Sequence, residues 1–284
     1  MAEIYTIKDF DSSNYQNVRP TYPDSLFNAI LSYHKGPTNT AVDIGSGPGT
    51  ASFSLLEHGV QNVIATDISE VMIAPGIAST PQELKERIEF KVAPAEDLTK
   101  VARDGTVDLI ISAEALHYAR HDEFFNEAAR VLRSGGTLAF WAYTDPIFVD
   151  YPKANEIYEK YVFEDDRYLG PMWSQPGRGI VRRFYEDIKV PEHLFESVEK
   201  HDYYPGKSEK RTEYFFGDSE YNLKKFALMV STWSATHAWR RAHPDAKVDI
   251  IDQLISELKN ELGWTDDTVV RAEWGTTYVL ARRH

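Results

Sequence analysis

Three acidic segments and a glycine loop stand at intervals that suit the binding of a nucleoside. The run Ala41-Val42-Asp43-Ile44-Gly45-Ser46-Gly47-Pro48-Gly49-Thr50 is an apolar stretch ending in an acid, a turn with alternate glycines, and then a helical pattern through Phe53, Leu55 and Leu56. Glycines there let the backbone approach a bound molecule with no side chain in between. Asp67 closes a second apolar stretch, 18 residues after Gly49 (67 − 49). A carboxylate at that place can accept both hydroxyl hydrogens of a ribose. Ala95-Glu96-Asp97-Leu98 follows a third such stretch. An acid there can take the exocyclic amine of adenine, and Asp97 would also suit a helix N-cap.

The glycine spacing separates two kinds of nucleoside cofactor. A dinucleotide fingerprint needs its third glycine three places after the second, at position 50, where this chain has Thr50. Pro48 removes an N–H that a pyrophosphate cradle would use, a loss without consequence for a ligand lacking phosphates. S-adenosylmethionine (SAM) is such a ligand. Asp43, Gly45, Ser46 and Gly47 are therefore expected to cradle it. Asp67 by itself serves either kind of cofactor.

Composition narrows the partners. The formal charge of −13 argues against a general nucleic-acid binder, which needs a basic face. It leaves room for a small anion held by a few arginines. With no cysteine, disulfides and thiolate chemistry are absent. Residues 1–10 carry charges and no apolar run, so no signal peptide is expected there. No stretch approaches the roughly 20 apolar residues that cross a bilayer. The expectation is a soluble, cytoplasmic protein with no membrane or nucleic-acid partner, its oligomeric state unreadable.

The elements that must position these residues alternate. A helix is expected from Pro23, burying Leu26, Phe27, Ile30 and Leu31 and stopping at His34-Lys35-Gly36-Pro37. Strands are expected at 41–44, 62–66, 88–92, 107–112 and 137–143, with a helix over 122–132. Ser69 caps a helix after the second strand that Pro75-Gly76 should cut short. Such alternation implies a parallel sheet wrapped by helices. Beyond residue 144, prolines, aromatics and charges blur the periodicity. Residues 197–204 and 269–282 read as strands, the latter antiparallel, and 223–241 and 248–262 as amphipathic helices. The predicted fold is α/β, Rossmann-like and doubly wound. Its mostly parallel seven-stranded sheet has an antiparallel last strand and an inserted, largely helical cap. One domain spans 1–284, with a lid segment over 1–22, a SAM-binding core over 23–144, cap insertions over 145–196 and 205–265, and closing strands at 197–204 and 268–283.

Asp43 through Gly49, Asp67, Ala95-Glu96-Asp97 and Leu132-Arg133-Ser134-Gly135-Gly136-Thr137 together resemble the motif series of class I SAM-dependent methyltransferases. The segments 15–23, 112–117, 141–146, 173–178 and 232–234 are similar to those of the fungal trans-aconitate methyltransferase group, whose relatives methylate small-molecule carboxylates or detoxify drug-like compounds. That resemblance implies methyl transfer from SAM to a small-molecule acceptor, most of all a carboxylate oxygen. It implies Tyr15, Arg19, Ile68, Met72 and Ala113 as further cofactor contacts. Tyr118 stands where many relatives carry tryptophan, beside the acceptor.

His117 follows the fourth strand, at the edge of the sheet where ligands bind. As a general base it would suit a hydroxyl or carbon acceptor. A carboxylate acceptor arrives ionised, and His117 would then donate a hydrogen bond. A non-catalytic SAM-binding module is the remaining alternative. Arg19 and Arg178 are candidate carboxylate clamps, whereas Arg182 and Arg183 are expected to be solvated. Trp141, Tyr143, Trp173 and Trp233 suit either an acceptor pocket or the core. The nine histidines lack ligand spacing, and no metal is expected.

Overall fold

The computed structural model describes residues 21–208 and 219–284. Helix α1 (Asp24–Tyr33) buries Leu26, Phe27 and Ile30 along one face. Strand β1 (Thr40–Ile44) lies between β2 (Asn62–Asp67) and β4 (Val107–Ala113), parallel to both. β3 (Ile88–Val92) extends the sheet beyond β2, and β5 (Leu132–Phe148) extends it beyond β4. Crossovers run through α2 (Thr50–Glu57), α3 (Glu70–Ser79) and α4 (His121–Val131). A strand covered on both faces needs apolar residues at successive positions, and Ala41, Val42 and Ile44 are all buried.

The chain then leaves the sheet through α5 (Pro152–Glu159) and α6 (Gly177–Arg182), and returns as β6 (Phe195–Tyr203). It leaves again through the short β7 (Ser219–Asn222), α7 (Leu223–Ser231), α8 (Ser234–Ala242) and α9 (Ile250–Leu262). It closes with β8 (Val269–Arg283), which inserts antiparallel between β5 and β6. The order is β3-β2-β1-β4-β5-β8-β6, with β7 as an eighth strand pairing the start of β8. Strand order reverses about β1 and β4, where ligands bind in open α/β sheets.

Apolar side chains gather in three places. Leu26, Phe27, Leu55 and Trp141 cover one face of the sheet, and Phe124, Phe125, Phe140 and Phe195 the other. Phe148, Tyr158, Trp233, Leu254 and Trp274 form a third cluster among α5 and α7–α9, over the ends of β5 and β8.

Three expectations change. Helix α3 runs through Pro75 to Ser79. Its Gly76 packs so closely that a Cβ there would lie 2.5 Å from the Pro48 carbonyl oxygen and 2.7 Å from the Phe90 ring, and this close packing holds the helix together past the proline. Strand β5 is longer than 137–143 at both ends. The helix expected over 223–241 divides at Thr232-Trp233, where Trp233 is extended (φ −74°, ψ 145°). Residues 1–20, with the lid expectation, lie outside the described residues.

Candidate active site

The carboxyl ends of β1, β2 and β4 enclose a cavity of about 160 Å³. Its floor is the glycine loop, and each glycine has its own reason. Gly45 (φ 69°) faces Ala115, whose Cβ would lie 2.2 Å from a Cβ at position 45. Gly49 (φ 87°) starts α2 against Phe90. Gly47 (φ 52°) would meet only the Met72 Cε, at 3.4 Å, so its missing side chain leaves room on the ligand side.

Asp67 ends β2 beside this loop. Its Oδ2 accepts the Gly47 N–H at 3.0 Å and its Oδ1 the Ser69 N–H at 2.9 Å. Burial raises its pKa, against the pull of those N–H groups. The carboxylate is thus oriented, with lone pairs left for further donors. Ile68, Met72, Ala95, Glu96 and Ala113 also line the cavity. Glu96 is fixed by the Arg120 N–H, 2.7 Å from its Oε1. An oriented acid, an apolar slot and a glycine floor fit the ribose, base and amino-acid parts of SAM.

Two acids do not stand where expected. Asp43 is fully buried under the loop and takes no part in the lining. Its Oδ2 accepts the Ser52 hydroxyl at 2.6 Å, while Oδ1 has no hydrogen-bond partner among the described residues. Burial, opposed by Ser52 and reinforced by Asp67, pushes its pKa up to about 7. Asp97 points away from the cavity, accepting the Thr99 N–H (3.0 Å) and hydroxyl (2.6 Å). It shapes a turn, and no helix follows for it to cap.

A second cavity of about 80 Å³ adjoins the first, and Glu114, Tyr118 and Tyr143 line both. His117, Trp173, Arg178 and Trp233 face it. The Nδ1 of His117 lies 3.1 Å from the Tyr185 hydroxyl. Burial, then the positive charge of Arg178, pushes the His117 pKa down to about 3, so the imidazole is neutral at ordinary pH. Arg178 stacks 4.3 Å from the centre of the Trp173 ring and hydrogen-bonds Asp145. Asp145 also accepts the Tyr158 hydroxyl (2.9 Å) and pairs with Arg182 (3.2 Å). Arg182 is thus no solvated arginine: it pairs with Glu159 at 2.9 Å and lies 3.6 Å from the centre of the Phe163 ring. Arg183 is half exposed and pairs with Asp187, four residues on past the end of α6.

Trp141 faces neither cavity. It is fully buried, with Tyr22 and Phe27 edge-on at 5.3 and 6.1 Å. Trp141 and Tyr143 share one face of β5, and Tyr143, two residues nearer the carboxyl end, reaches the site while Trp141 stays in the core beneath Tyr22 and Phe27. Tyr15 and Arg19 lie outside the described residues.

Glu114 is one site residue that reading by type and spacing missed. It adopts φ 55°, rare for a residue with a side chain. Its N–H reaches the Trp141 carbonyl at 3.0 Å and its carboxylate takes the Tyr143 N–H. A side chain thereby continues the β4–β5 ladder past its end, at the neck between the cavities. Only its place directly after an apolar strand hinted at this.

A doubly wound sheet with this order, a G-x-G-x-G floor and an acid ending β2 define the nucleoside-binding fold of the methyltransferases. The chain belongs to the class I SAM-dependent methyltransferases, with SAM as its methyl donor. The methyltransferase domain family matches residues 42–140. The protein named "Probable S-adenosylmethionine-dependent methyltransferase CRG1" of Saccharomyces cerevisiae is 37% identical over 289 residues, covering 98% of each chain. Methyltransferase ptaI of Pestalotiopsis fici is 31% identical over 191 residues, 63% of this chain and 56% of its own. A structure assigned as a type II methyltransferase from Anaeromyxobacter dehalogenans superposes with a TM-score of 0.66 at 25% identity, over 93% of this chain and 97% of that one. No helix among the described residues is long and apolar enough to cross a membrane.

Proposed function

We propose that the enzyme transfers the SAM methyl group to the oxygen of a small carboxylic acid, as the trans-aconitate methyltransferase group does. The first cavity takes the cofactor, on Gly45, Ser46, Gly47, Asp67, Ile68, Met72, Ala95, Glu96 and Ala113. The second takes the acceptor, on His117, Tyr118, Tyr143, Trp173, Arg178 and Trp233. Helices α5 and α6, and helices α7 to α9, act as its cap. The observation that carries this reading is the neutral His117 beside Arg178 in an aromatic-walled cavity adjoining the nucleoside one. An imidazole that resists protonation down to about pH 3 is a weak base, ill suited to deprotonating a hydroxyl. It remains a good hydrogen-bond donor to an acceptor oxygen that arrives ionised. The Asp145, Glu159, Arg178 and Arg182 cluster is formally neutral, so it holds an anion by the direction of its N–H groups and not by net charge.

Chemistry then asks little of the protein beyond alignment. The sulfonium makes the methyl carbon electrophilic, and holding oxygen, carbon and sulfur in line supplies on the order of 7–11 kcal/mol.

The test is a panel of small carboxylic acids and phenols with methyl-labelled SAM. Base-labile methyl esters are expected, and base-stable ethers alone would overturn the reading. With an accepted acid, Arg178→Ala should raise the acceptor KM about tenfold or more while SAM affinity holds within about twofold, the loss of a charged hydrogen bond being worth about 1.5–3 kcal/mol. Lysine should rescue only in part, since it lacks the planar fork.

A further inference from the structure

Beyond α6, the chain turns through Phe184 (φ 53°) and Tyr185 (φ 57°). Two successive left-handed residues, neither of them glycine, make a strained turn, and such strain persists only where its surroundings impose it. Phe184 is held by Tyr204, with ring centres 4.3 Å apart, and by a gap at Gly275, where a Cβ would lie 2.8 Å from the Phe184 ring. The turn drives Tyr185 into the core, fully buried against Phe140. Its hydroxyl arrives 3.1 Å from the His117 Nδ1.

We propose that Tyr185 is a positioning residue that fixes His117 as its Nε2–H tautomer, so that the imidazole offers the second cavity a donor and not a basic nitrogen. Each nitrogen of a neutral imidazole is either donor or acceptor, and the partner of one decides the role of the other. The Tyr185 phenol keeps its proton, because burial holds its pKa well above the usual value. A phenol O–H is a stronger donor and a weaker acceptor than an imidazole, so across this contact the hydroxyl donates and Nδ1 accepts. That leaves the proton of the ring on Nε2, which has no hydrogen-bond partner among the described residues, in a side chain that lines the cavity. The arrangement favours an acceptor oxygen with lone pairs to offer and disfavours a hydroxyl that must lose a proton to the ring. This use of the proton rests on the carboxylate reading. The tautomer itself does not.

The tautomer is read directly by long-range proton–nitrogen correlation spectra of the full chain labelled with ¹⁵N-histidine, the His117 signals being assigned by their loss in His117→Gln. Wild type should show a protonated Nε2 and a pyridine-like Nδ1. Tyr185→Phe, which keeps the ring and removes the hydroxyl, should move His117 to a mixture of both tautomers. A protonated Nδ1 in wild type would overturn the proposal even if the variant fails to fold, and so would an unchanged tautomer in a folded variant. With an accepted acid, the variant should lose about tenfold in kcat/KM while its SAM affinity holds within about twofold, and unchanged kcat/KM would overturn the positioning role. No acceptor is needed for the spectra, so failure of every acid in the methylation panel would sink the functional reading alone.

Discussion

A Cβ at Gly45 would sit 2.2 Å from the Ala115 Cβ, whereas one at Gly47 would meet only the flexible end of Met72, at 3.4 Å. The two glycines should therefore fail differently. Gly45→Ala forces neighbouring chain apart and should cost stability, roughly 1–3 kcal/mol for overpacking with the positive φ added to it. Gly47→Ala should cost only its φ, about 1–2 kcal/mol, yet lose SAM affinity at least about tenfold. Urea melts and calorimetry separate the effects, and a Gly47→Ala protein that binds SAM normally would move the ligand off this loop. Asp67→Ala should weaken SAM binding by about 1.5–3 kcal/mol, the value of hydrogen bonds to a charged group; unaltered calorimetric affinity would refute its role. Residue type and spacing located Asp67 because a strand end fixes where a side chain goes. They misplaced Asp43 and Trp141 because whether a strand residue faces a cavity or the core depends on what packs on each face.

At the scale of elements, Gly76 shows what local rules leave out. Proline and glycine in succession predict a broken helix, but α3 continues because the missing side chain lets it lie against Pro48 and Phe90. Gly76→Ala improves helix propensity by about 1 kcal/mol. It should nonetheless destabilise the protein by roughly 1–3 kcal/mol, because the obstructing atom is a backbone oxygen 2.5 Å away. A higher melting temperature in that variant would refute the packing argument. The strands of the parallel sheet were legible, since buried strands read as apolar runs between turns. The division of 223–241 into α7 and α8 was not. Its amphipathic pattern is continuous, and Trp233 turns out of the helix to fill space beside Tyr158 and Trp173, with ring centres 6.1 and 5.6 Å away.

Across the whole molecule, two buried ionisable groups pull stability in opposite directions with pH. His117 takes its proton only near pH 3 when folded and at about 6.5 when unfolded. The unfolded chain therefore binds the extra proton between those values, and stability falls as pH drops through that window. Asp43 keeps its proton to about pH 7 when folded and loses it near 3.8 when unfolded, so its share of stability falls as pH rises through that window. His117→Gln should flatten the loss on the acid side and Asp43→Asn the loss toward neutrality. Urea midpoints across about pH 4 to 8 read both, and parallel curves for wild type and variants would contradict both burials. The first cavity was readable because backbone conformation and a few acids build it. The second was not, because aromatics and arginines serve core, ion cluster and pocket alike until packing assigns them.

Methyl transfer as proposed needs an acceptor oxygen that arrives ionised and a His117 that donates to it. Single-turnover methyl transfer to an accepted acid, from about pH 5.5 to about 8.5, tests this most directly in wild type and His117→Gln. A rate flat through the usual histidine range, with the variant retaining activity within about tenfold, is the result predicted, because glutamine still donates a hydrogen bond. A rate that climbs through that range and falls about a thousandfold in the variant would make His117 a general base and contradict the account.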